Sequence, residues 1–211
     1  MGTRIAVGFL VLFGLAGGGD CWADQPLKVS ARGLDQPVPL YPLEILVSQP
    51  GESQTAFMLR VGAVLADFTT RTGFEGCGLV WSNSDNTVWG VPLTTNQSHC
   101  GCVASSLPVG SPELHPTAET IHSHPDPRKD TYTVNRVDRT FIHRADPVGA
   151  IRHNEEPRTF SALDLKGGAG YLVSDGRLLY QDGSGAASVR ELGTISTSSG
   201  SAGGADPSLS R

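Results

Sequence analysis

Ile121-His122-Ser123-His124-Pro125 places two imidazoles two residues apart. On an extended strand alternate side chains share a face, so His122 and His124 point together, as two ligands of one metal ion must. Pro125 ends such a strand and leaves both rings near its edge. Taken alone, the pair fits two surface or polar-cluster histidines as well. Ser161-Ala162-Leu163-Asp164 is a second group of interest. Ser161 and Asp164 stand one helical turn apart on one face. That spacing suits an ordinary helix cap, and it suits a carboxylate ligand with a hydroxyl beside it. Glu75, just ahead of the apolar run Gly76-Cys77-Gly78-Leu79-Val80, is the third. A carboxylate there is either solvated or employed. As a general base it would take a proton from a water activated by a metal ion.

The elements that must carry these groups are legible as a pattern. Residues 24–50 hold Pro26, Pro37, Pro39, Pro42 and Pro50 and read as an extended lead-in, with one strand over 43–48. Residues 52–72 read as a helix, capped by Ser53 and stopped by Gly73, with Ala56, Leu59, Val61, Ala63, Val64, Ala66 and Phe68 marking its apolar positions. Runs at 76–81 and 87–93 flank a polar turn at 82–86, which is a hairpin signal. Residues 94–117 read as loop and 119–124 as the strand of the two histidines. Residues 126–160 show no period and read as a long loop, a length usually reserved for function or disorder. A short helix starts at Ser161 and stops at Gly167-Gly168. A second hairpin, 171–174 with 177–181, turns at Asp175-Gly176. From Asp182 onward the Gly/Ser-rich composition predicts disorder.

Glu75 before Cys-Gly-Leu, then His122-Ser123-His124-Pro125, then Ser161-x-x-Asp164, resembles the ordered motif of the JAMM metalloproteases of the JAB/MPN domain. The likeness covers about residues 75–180. The strands around Gly170–Val173 and Gly176–Tyr180 are also similar to bacterial JAB-like domains associated with secreted or toxin proteins. The chain departs from the pattern in one place: residues 126–160 occupy a connection that is much shorter in the family. An insertion there would lie beside the metal and act as a lid or substrate-selecting loop.

The resemblance implies an α/β fold, a JAB/MPN-like (cytidine-deaminase-like) mixed sheet flanked by helices. It implies Zn2+ held by His122, His124 and Asp164, with Glu75 as proton carrier and Ser161 steadying the oxyanion. The reaction would be hydrolysis of an amide or isopeptide bond in a linked protein, a peptide or peptidoglycan. A binding, immunity or adaptor module that keeps this fold without turnover is the alternative.

Composition narrows the partners. The chain has 211 residues, 16 basic against 21 acidic, and a net charge of −5, with no Lys/Arg run beyond two. A nucleic-acid-binding face requires clustered basic residues, so that class is excluded. No apolar run is long enough to span a membrane. Arg4, the 12-residue apolar run at 5–16 and the small residues Cys21 and Ala23 read instead as a secretory signal cleaved near Ala23, giving a secreted or periplasmic chain. Residues 24–50 are then the lead-in, 51–182 the domain and 183–211 the tail. An oxidising compartment favours disulfides. Of Cys77, Cys100 and Cys102, the last two are too close for an easy mutual bridge. Cys77 bridged to either one is an option, and three reduced thiols another. His99 beside Cys100 and Cys102 lacks a fourth metal ligand at matching spacing. His115, His143 and His153 read as solvated.

Overall fold

The computed structural model describes residues 26–31, 34–126, 131–142, 146–154 and 158–196. The signal-segment reading of 1–23 and the end of the tail lie outside them. The described chain is an α/β fold built on one large mixed sheet with few helices.

Two strands come from the Pro-rich segment, β1 (Leu27–Val29) and β2 (Val38–Val47). The expectation of a lead-in with a single strand over 43–48 is corrected here. Proline disrupts a ladder least at a bulge or edge. Pro42 sits at a register shift of β2 against β4 (Trp89–Thr95). The Pro39 carbonyl meanwhile accepts from Asn96 Nδ2 at 2.6 Å. Val38 and Leu40 are buried.

Helix α1 (Gln54–Thr72) forms where expected. Ser53 Oγ accepts from the Ala56 N–H, and Gly73, at φ 75°, closes the helix by donating to the Thr69 carbonyl. Its buried face is Phe57, Met58, Val61, Gly62, Leu65 and Thr69, so the expected apolar stripe is out of phase, sharing only Val61. The helix is apolar on more than one face, and Leu59, Ala63, Val64 and Ala66 still pack at the margin of the core. Spacing alone could not choose between the two faces.

Strand β3 (Gly76–Ser82) pairs antiparallel with β4 through the expected hairpin, whose turn is fixed by Asn83 Oδ1 accepting from the Thr87 and Val88 N–H groups. On its other side β3 pairs antiparallel with β5 (His115–Ser123). Strands β8 (Gly170–Ser174) and β9 (Arg177–Gln181) form the second expected hairpin, with Asp175 and Gly176 both at positive φ. With β10 (Arg190–Thr194), the sheet order is β1-β2-β4-β3-β5-β8-β9-β10, and β5 with β8 is its one parallel pair among the described strands. Helix α1 packs Phe57, Met58, Val61 and Leu65 on one face, against Val80, Val91, Ile121 and Val173. Phe160, Leu172 and Leu179 make a smaller cluster on the other.

Two segments read as irregular carry regular elements among their described residues. Residues 126–160 carry a two-stranded sheet, β6 (Thr131–Thr133) with β7 (Ile151–His153), and a short helix α2 (Asp138–Ile142). The segment expected to be disordered from 182 supplies strand β10 (Arg190–Thr194), paired with β9, and Ile195 enters the main core at 6% exposure. Three apolar anchors, Val189, Leu192 and Ile195, do what the Gly/Ser-rich composition conceals. Among the described residues no helix is long and apolar enough to cross a membrane.

Candidate metal centre

The last turn of β5 brings the two histidines together. His122 and His124 alternate onto one face, and the His124 N–H extends the parallel ladder to the Val173 carbonyl at 2.9 Å. Their Nε2 atoms are 3.1 Å apart. Ser123 between them points the opposite way and is fully buried. Its Oγ lies 2.6 Å from Thr69 Oγ1 and accepts from the Gly76 N–H at 3.1 Å. The strand end that carries both imidazoles is thereby tied to α1 and to β3. The sequence reading counted Ser123 in the motif but gave it no role, although a serine between two cavity-facing neighbours must place its hydroxyl on the core side.

Asp164 opens the four-residue helix α3 (Asp164–Gly167). Its Oδ1 lies 3.4 Å from His122 Nε2 and its Oδ2 lies 3.6 Å from His124 Nε2. Ser161 and Asp164 also form a reciprocal cap. The Ser161 N–H donates to Asp164 Oδ2 at 2.7 Å, and the Asp164 N–H donates to Ser161 Oγ at 3.2 Å. The cap and the ligand reading of this motif hold together, because the cap orients the carboxylate that faces the imidazoles. Ligand atoms of His122, His124 and Asp164 all lie within 4.8 Å of one another, and the group could hold a metal ion.

Electrostatics suit that use. Burial pushes the His122 imidazole below its usual range, outweighing its hydrogen bond to the Asp164 carboxylate that would raise it, while the charge of His124 lowers it further. Burial alone would raise Asp164, but hydrogen bonds to His122 and His124 and their charge outweigh it and hold the carboxyl well below the usual carboxylate range. A neutral His122 and an ionised Asp164 are the forms in which these two side chains bind a cation.

The group opens into a cavity of about 520 Å³ that Glu75, Ser161, Phe141 and Gln181 also line. Glu75 is buried at 4% exposure, and its backbone is held from two sides. Its N–H donates to the Ser98 carbonyl, and Thr95 Oγ1 donates to its carbonyl at 2.7 Å. The solvated alternative for Glu75 is thus set aside.

Cys77 stands in register with His122 across the β3–β5 pair and is bridged to Cys102. The bridge staples the loop after β4 to the strand beside the histidines. Cys100 keeps its thiol. His99 is no metal ligand with Cys102, which the bridge occupies. Its Nδ1 lies 2.9 Å from Asp138 Oδ2, and its ring stacks on Tyr132 at 4.6 Å. Asp138, fully buried in α2, also accepts from Ser98 Oγ and from the His99 and Asn135 N–H groups, each at 2.8 Å. The residue was missed in the sequence, where Asn135-x-x-Asp138 is a readable capping pattern. His115 and His153 are exposed as expected, and His143 lies outside the described residues.

No protein-family model matches the chain, and neither a curated protein nor a solved structure resembles it closely enough to count as a match.

Proposed function

We propose that the chain is a zinc-dependent hydrolase of the JAMM type that cleaves an amide or isopeptide bond. One observation carries the reading: two imidazoles and a carboxylate converge from separate elements inside a cavity that also holds a buried glutamate. Two ligand atoms each about 2.1 Å from one tetrahedral ion stand about 3.4 Å apart. The imidazole nitrogens here are 3.1 Å apart, His122 Nε2 is 3.4 Å from Asp164 Oδ1 and His124 Nε2 is 3.6 Å from Asp164 Oδ2, spacings that support a zinc-sized ion. Three protein ligands also leave the open position of a catalytic zinc site. The mixed sheet, with α1 on one face and α3 on the other side, supports the JAB/MPN-like arrangement.

His122, His124 and Asp164 would hold the ion, which supplies Lewis acidity and lowers the pKa of water to about 7. Glu75 would accept the proton of the attacking water and return it to the leaving amine. Ser161 would direct its hydroxyl hydrogen toward the oxygen that gains negative charge, since its lone pair already accepts from the Asp164 N–H. Phe141, from the 126–160 segment, forms part of the wall and would limit which chains enter. Substrates in keeping with a secreted chain are isopeptide-linked proteins and cross-linked cell-wall peptides.

The test is zinc content of the purified protein, beside a His122→Ala/His124→Ala variant and Asp164→Ala. About one zinc per chain, lost in both variants, is expected. Glu75→Gln should then keep zinc and lose hydrolysis of an isopeptide-linked or peptidoglycan-derived substrate. Wild-type protein that takes up no zinc on reconstitution overturns the reading. Zinc without turnover on any such substrate favours a binding, immunity or adaptor module.

A further inference from the structure

A helix of four residues cannot hold itself together. Helix α3 must therefore be braced from outside, and its first residue is the carboxylate of the metal group. Gln181 ends β9, in register with Gly170 of β8, and is 1% exposed. Its Nε2 donates to the Asp164 carbonyl at 2.9 Å and also to the Gly168 carbonyl. An amide nitrogen carries two hydrogens, so both are used on the two ends of α3. Its Oε1 has no hydrogen-bond partner among the described residues. A buried acceptor left unmatched is unfavourable, and a leucine would fill the same space without that penalty. The amide serves the helix, and through the helix the carboxylate.

Resting on the metal-centre reading, we propose that Gln181 is a positioning residue that sets the Asp164 carboxylate against His122 and His124. Asp164 is then fixed at both ends. Ser161 holds its amide and its Oδ2, and Gln181 holds its carbonyl. Loss of such an outer partner weakens metal affinity about 10- to 100-fold.

The experiment compares wild type, Gln181→Leu and Leu178→Ala. Leu178 lies on the same strand but in the main core under α1, so its loss destabilises the sheet without touching α3. Zinc affinity is measured by chelator competition, ligand geometry by the visible spectrum of the cobalt-loaded protein, and order of 161–168 by hydrogen exchange in chelator-treated protein. Gln181→Leu is expected to bind zinc about 10- to 100-fold more weakly, to change the cobalt spectrum and to lose protection at 161–168. Leu178→Ala should do none of these below its own unfolding temperature. Zinc affinity within twofold of wild type overturns the proposal, even if protection falls. If wild type itself binds no zinc, the metal-centre reading fails. Exchange then decides the brace alone: lost protection in Gln181→Leu supports it, and unchanged protection overturns it.

Discussion

The smallest unit of the candidate centre is a three-residue alternation. His122 and His124 face the cavity while Ser123 faces the core, and each orientation enforces the other. Ser123 Oγ engages the Thr69 hydroxyl and the Gly76 N–H in a site closed to solvent. Replacing Ser123 by Ala would strand both partners, at a cost of about 1–3 kcal/mol. Denaturant titration should show that loss, and a change under about 0.5 kcal/mol, as for an ordinary surface substitution, would show that the hydroxyl contributes nothing. At this scale the sequence was informative for side chains whose chemistry is unusual. His122, His124 and Asp164 stand out by type and spacing, and the structure brings them within reach of one another. The roles of Ser123 and Gln181 do not stand out, because they lie in partners 47 and 17 residues away.

Among the elements, those with strong local signals were readable. Helix α1 has a cap, a stop and length, and both hairpins have turn residues that demand positive φ or side-chain capping. Strands β2 and β10 were obscured, because proline and glycine dominate local propensity while burial of Val38, Leu40 and Ile195 decides the outcome. The 126–160 segment was obscured differently. Among its described residues a buried carboxylate, Asp138, fastens α2 to Ser98 and His99. Burial alone would raise Asp138, yet the hydrogen bonds from His99, Asn135 and Ser98 outweigh it and leave the carboxyl below its ordinary range. A depressed folded-state value means the stabilisation is complete above the unfolded value, about 3.9, and is lost as pH falls below it. Asp138→Asn should therefore be less stable at pH 7 and show a flatter loss of stability between about pH 5 and pH 3. Denaturation midpoints across that range check this, and parallel curves for the two proteins would remove Asp138 from the role.

For the whole molecule, the sheet extends beyond 51–182 on both sides, through β1 and β2 and through β10. Ile195 lies against α1 at Gly62, where an added Cβ would stand 3.0 Å from its Cδ1, and its N–H donates to the Gly176 carbonyl. A chain ending at residue 182 should lose this edge and melt well below a chain ending at 196, read by circular dichroism. Equal melting temperatures would mean that β10 is dispensable.

The order of assembly follows from the parallel pairing of β5 with β8. Glu75 and the two histidines precede Asp164 and Gln181 along the chain, and β5 cannot meet β8 until the chain between them has been made. Such non-local pairings close late. A chain emerging N-terminus first exposes its imidazoles long before it owns the carboxylate that completes them. The convergence of these three side chains therefore waits on the closure of the final strands.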